Sequence, residues 1–147
     1  MRREAELGPQ LGQRLTYLLK RALLDLEELH REKLGPIGIN GRELAVLLLL
    51  EAREPESQQQ AAARLRVDRT TMVGMLDGLE EKGLVARQAA GEDRRRNIVA
   101  LTEAGHQTLA RALRASDEAE GRLLDGLEEG EQTQLRALLA RVVAGHA

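Results

Sequence analysis

The sequence predicts a mostly α-helical fold carrying one small β-hairpin. Three observations carry that expectation. Leucines recur at spacings of three and four through most of the 147 residues, the period of helices with one apolar side. Two of those runs open on a polar residue with Glu or Gln three places later, a start that can cap a helix from within. One stretch, Leu84 to Leu101, breaks the helical period: two short extended runs flank "AAGED", the pattern of a two-stranded hairpin and its turn.

The elements follow in order. Gln10 to Leu34 reads as a long first helix, with Leu11, Leu15, Leu18, Ala22, Leu26 and Leu29 on one side. Gly35 and Pro36 end it. A second helix starts at Asn40, with Glu43 completing its cap, and Leu44, Leu47 and Leu48 as the expected buried stripe. Pro55 closes it. "SQQQAAARL" is a short third helix, where Ser57 and Gln60 repeat the capping pattern. After "RVD", Asp68 caps a fourth helix, Arg69 to Lys82, with Met72, Leu76 and Leu79 inward. Gly83 suits the left-handed position past its end. The hairpin comes next. Thr102 caps a fifth helix to about Leu127, and Gly130 separates it from a sixth, Glu131 to Ala144. The sixth carries Leu135, Leu138, Leu139 and Val142 on one side.

Composition removes several function classes. No apolar run approaches the roughly 20 residues needed to span a bilayer. The start, "MRREAELGPQ", lacks the apolar core of a secretory signal. There is no cysteine, so disulfides and thiolate metal sites are excluded, which fits a reducing cytoplasm. Tyr17 is the only aromatic residue, so a base-stacking surface for single strands is not expected. The net charge of −2 conceals segregation. Ser57 to Thr102 holds eight basic and six acidic residues; Asp117 to Glu131 holds one basic and seven acidic.

Two short helices joined by a tight turn form a helix-turn-helix, and a hairpin directly behind them makes it winged. In that arrangement the second helix, from Arg69, enters the major groove with its first residues toward the bases. The hairpin tip carries Arg94, Arg95 and Arg96, and an arginine there can reach a narrow minor groove. Asp93 is expected to brace the turn, since a carboxylate repels phosphate. The expected architecture is a winged helix-turn-helix core flanked by N- and C-terminal helices.

The stretch from Ser57 to Gly105 resembles the MarR family of bacterial transcription regulators. "VDRTT", "LEEKGLV", the Asp93-x-Arg95 pair and "LTEAG" stand in family order and at family spacing. The resemblance implies one domain over 1–147, with a DNA-binding lobe at 40–102 and dimerisation helices at 10–34 and 103–147. It places Leu11, Leu15, Leu18, Leu135, Leu138, Leu139 and Val142 at the interface of a homodimer. It implies double-stranded DNA as partner, a pseudo-palindromic operator, repression, and a small-molecule effector in many members. Arg95 matches the arginine that enters the minor groove. Arg69, Thr70 and Thr71 match the start of the recognition helix. Ser57 and Gln58 match the start of the preceding helix, which commonly touches phosphate.

The chain departs from the pattern inside the recognition helix, where Gly74 and Gly78 stand at positions that many members fill with arginine. Neither can hydrogen-bond a base with a side chain, so base readout is expected from few residues or from DNA shape, with close backbone approach at Gly74 as the expected compensation. His30, His106 and His146 are far apart with no ligand spacing, so neither a metal site nor a cofactor is expected. Tyr17 could line an effector pocket or simply lie along the first helix. No phosphate loop, H-E-x-x-H or nucleophile elbow is present, so the chain does not read as an enzyme. The acidic fifth helix and the two glycines leave a second reading open: a helical protein-interaction module that retains the fold without binding DNA.

Overall fold

The computed structural model describes residues 7–54, 56–90 and 93–146; at 56, 89, 90 and 93–97 it describes the backbone alone. A 3-10 turn, Leu11–Gln13, precedes helix α1, Leu15–Leu34. Then come a second 3-10 turn, Gly35–Ile37, and α2, Gly41–Ala52. Strand β1, Glu56–Ser57, leads into α3, Gln58–Leu65, and α4, Arg69–Glu81. Strands β2, Val85–Ala90, and β3, Asp93–Leu101, are followed by α5, Glu103–Leu123, and α6, Glu129–Ala144.

The helix starts are made by the expected side chains. Asn40 Oδ1 accepts from Glu43 N at 2.8 Å, and Glu43 Oε1 accepts from Asn40 N at 3.0 Å. Ser57 and Gln60 repeat the exchange at 3.2 and 3.1 Å. Each satisfies two amides that the first helical turn leaves without a partner. Both α3 and α4 end in the same double hydrogen bond. At α4, Gly83 N donates to Glu80 O and Leu84 N to Leu79 O, both at 2.9 Å, with Gly83 at φ +77°. At α3, Arg66 takes the left-handed place, φ +54°, while Val67 N donates to Ala62 O at 3.1 Å.

The chain divides into two compact units. One spans His30–Ser116; the other joins the chain up to Leu29 to the chain from Asp117 onward. The first holds an aliphatic core in which Leu34, Leu47, Met72, Leu76, Leu79, Leu109, Val46 and Val99 are fully buried. Each such side chain contributes about 1.5–3 kcal/mol by leaving water. In the second unit Gln132 Nε2 donates to Leu124 O and Leu127 O, fixing the turn between α5 and α6, and Arg136 pairs with Glu120 at 3.0 Å.

Several details differ from the sequence reading. The first helix begins at Leu15, not Gln10: Arg14 is extended, and Leu11 sits in the separate 3-10 turn. Leu48 is 37% exposed, and Val46 and Leu50 are buried instead; α2 is apolar on nearly every side from Leu44 to Leu50, so periodicity cannot choose its inner face. The expected hairpin of β2 and β3 is present, and a third strand joins it in the order β1-β3-β2. Glu56 pairs with Val99 and Ser57 with Ile98, a strand too short to show alternation. Helix α5 stops at Leu123, and α6 begins at Glu129 with Gly130 inside its first turn. Glu128 and Glu131 close a capping box there, and a glycine in a first turn does not break a helix. Pro55 lies outside the described residues.

Candidate nucleic-acid interface

Helices α3 and α4 are joined by the turn Arg66–Asp68. Asp68 fixes the second helix on it: Oδ1 accepts from Thr71 N at 2.7 Å and Oδ2 from Thr71 Oγ1 at 2.8 Å. These bonds, the backbone one first, hold the Asp68 carboxyl below the usual aspartate range. Thr71 is therefore half-buried with its hydroxyl committed to the cap, whereas Arg69, Thr70 and Gly74 are exposed. At Gly74 and Gly78 an added Cβ would meet no atom within 4 Å. No steric need inside the fold accounts for either glycine. A groove of about 400 Å³ opens between α2 and α4, lined by Arg42, Leu65, Val67, Thr71 and Met75 among others.

Ser57 spends its hydroxyl on the α3 cap. The neighbouring Gln58 is half-buried, and its side-chain oxygen is buried with no hydrogen-bond partner among the described residues. Beyond α4, β2 and β3 form the wing, paired from Val85↔Leu101 to Ala89↔Asn97. The register then shifts, and Ala90 faces Asp93. Asp93, Arg94, Arg95 and Arg96 thus lie in β3 itself, starting at its first residue. Their side chains lie outside the described residues, and so does the expected brace by Asp93.

The base of the wing is clasped to the end of α4. Thr102 Oγ1 donates to Gly83 O at 2.6 Å and accepts from Gly105 N at 3.0 Å. Thr102 N donates to Leu84 O at 3.1 Å. This explains why "KGL" and "LTEAG" occur together. A second clasp was not read from the sequence. Arg87 of β2 donates to Asp77 of α4, and its Nε lies 3.9 Å from Glu80 Oε2. Strand alternation held the signal: Arg87 falls two residues after buried Val85, on the face turned to the helix. A third tie runs from Lys82 Nζ to both Glu43 oxygens, at 3.0 and 3.2 Å, and to Gly38 O at 2.7 Å.

The other unit exposes apolar side chains in number. Leu15 is 69% exposed, Val142 60% and Val143 70%. Leu11, Leu18, Leu138 and Leu139 are exposed with them, while Leu135 and Tyr17 are partly covered. Among the described residues no cluster of metal-ligating side chains occurs, and no helix is long and apolar enough to cross a membrane.

A helix-turn-helix whose second helix is followed at once by a small antiparallel sheet defines the winged helix class of DNA-binding proteins. A sequence profile of the MarR family matches residues 37–96. A structure of the transcriptional repressor CouR, bound to a 23-mer DNA duplex, is 36% identical over 91% of this chain and 95% of its own, with a TM-score of 0.85. CouR from Rhodococcus jostii RHA1, bound to p-coumaroyl-CoA, is 30% identical over 90% of this chain and 93% of its own, TM-score 0.78. A probable transcriptional regulator from Pseudomonas aeruginosa is 31% identical over 90% and 98%, TM-score 0.82. This chain belongs to the MarR family of transcriptional regulators.

Proposed function

We propose that this protein is a homodimeric repressor that occupies a pseudo-palindromic operator in the cytoplasm and is released by a small-molecule ligand, with no catalytic step. The observation that carries the reading is the joint presentation of two DNA-facing parts by one lobe. Helix α4 exposes Arg69, Thr70 and Gly74, and the adjoining strand β3 carries Arg94, Arg95 and Arg96 at its start. Arg69 and Thr70 read base edges, Gly74 lets the backbone approach, and Arg95 enters the minor groove. Gln58 and Ser57 lie at the phosphate backbone beside the α3 N-terminus, where amide groups favour an anion.

The exposed leucines and valines of α1 and α6 support a dimer, since so many apolar side chains left in water call for a partner surface. Two lobes must then meet grooves about one helical turn apart. A ligand that favours another lobe spacing lowers operator affinity by population shift and leaves the dimer intact. The CouR structures support this reading, one relative bound to DNA and one to an acyl-CoA thioester. Tyr17 is a candidate contact for such a ligand.

The test is selection of a tight site from a random duplex pool, followed by fluorescence anisotropy on that site at two salt concentrations. The wild type should bind with a steep salt slope, because phosphate contacts release counterions. Arg95→Ala should weaken binding by about 1–3 kcal/mol, the scale of one specific contact. Weak binding that neither salt nor the substitution changes would refute the reading in favour of a protein-interaction module.

A further inference from the structure

Helix α4 carries a charge problem. Asp77 lies seven residues after Thr70, two helical turns on, and so shares its outward side. Its side chain is 61% exposed, and that of Glu80 is 47% exposed. A helix that enters a DNA groove with two bare carboxylates meets repulsion from the phosphates on either side. The two glycines that replace arginine, Gly74 and Gly78, bring no compensating charge from within the helix.

The compensating charge comes from the wing. Arg87 is largely covered, with a side chain 19% exposed, and its guanidinium is placed against both acids. We infer that Arg87 is the positioning residue that makes α4 fit for DNA: it offsets one of the helix's two carboxylate charges, chiefly that of Asp77, and ties helix and wing strand into one reader. The inference rests on the DNA-binding reading above. The two acids are 61% and 47% exposed, so solvent screens what the pair adds to folding. The effect of the pair therefore belongs to the DNA complex, where uncancelled carboxylates face the phosphates. One oxygen of Asp77 is turned to Arg87.

The experiment compares wild type, Arg87→Met, Arg87→Lys and the triple variant Asp77→Asn/Glu80→Gln/Arg87→Met on the selected duplex, with thermal unfolding of each as control. Arg87→Met should lose about tenfold or more in affinity at an almost unchanged melting temperature. Arg87→Lys should keep most of the affinity. The triple variant should recover to within about threefold of wild type, because the uncancelled charge is gone. Undiminished binding by Arg87→Met overturns the proposal, and so does a triple variant as weak as Arg87→Met, which would make the contact purely structural. A wild type that binds no duplex with salt dependence overturns the DNA reading itself, and this inference with it.

Discussion

Gly105 stands so close to Leu84 that a Cβ at Gly105 would fall 2.1 Å from the Leu84 carbonyl oxygen. That oxygen cannot retreat freely, because it accepts from Thr102 N. Gly105→Ala should therefore destabilise the fold by about 2–3 kcal/mol, the scale of an overpacked site. Chemical denaturation followed by circular dichroism measures it. A variant as stable as wild type would show that the α5 start can shift away from the end of α4.

Gly74 and Gly78 should behave in the opposite way. Alanine at either finds open space and gains about 0.5–1 kcal/mol of stability through helix propensity. Gly74→Ala should nevertheless bind the selected duplex less tightly, since a methyl group holds the backbone away from the bases. Tighter binding by the alanine variant would remove the case for close approach.

Glu43 is buried and serves two partners, the Asn40 amide and Lys82. Lys82 is more exposed, with a side chain 42% in reach of solvent. Glu43→Ala should cost about 2 kcal/mol, from a lost cap and a lost charged hydrogen bond. Lys82→Met should cost less, because its partner keeps the Asn40 bond. Equal losses in urea titrations would mean that the ion pair alone matters.

The Asp68 cap sets a pH dependence. Its carboxyl is held below the usual range in the folded chain, so the unfolded chain takes up its proton first as pH falls. The stabilisation is complete above the ordinary aspartate range, near pH 4, and is lost as pH drops through the lowered folded value. At neutral pH, Asp68→Ala should melt below wild type. The gap should narrow below about pH 4. A gap of constant size down to pH 2 would contradict the assignment.

The proposed dimer predicts a wild type that sediments at twice the chain mass, and glutamate at Leu15 and Leu138, both exposed on the single chain, should reduce it to a monomer in sedimentation velocity. A variant that sediments with the wild type would place the dimer contacts elsewhere.

Much of the lobe was legible because its signals are local. Asn40 with Glu43, Ser57 with Gln60, and Asp68 each declare a helix start within four residues. Gly83 declares an end, because its backbone needs a positive φ. Contacts between elements were not legible in the same way. Arg87 and Asp77 are ten residues apart on a strand and a helix, and no short-range pattern joins them. The α2 inner face and the two-residue β1 were lost for lack of period. The arginine triplet was found by its charge, although the start of β3 at Asp93 depends on pairing that the sequence does not display.

Among the described residues, several of the lobe's internal fastenings grip the two ends of α4. Thr102 and Gly105 grip the end of the helix, Lys82 anchors that end to α2, and Asp68 secures its beginning. A side chain added at position 74 or 78 would find open space. Such a helix works like an interchangeable type slug in a fixed press. Under the DNA-binding reading proposed above, a change at either position alters the face offered to an operator, while the frame that holds the helix folds as before.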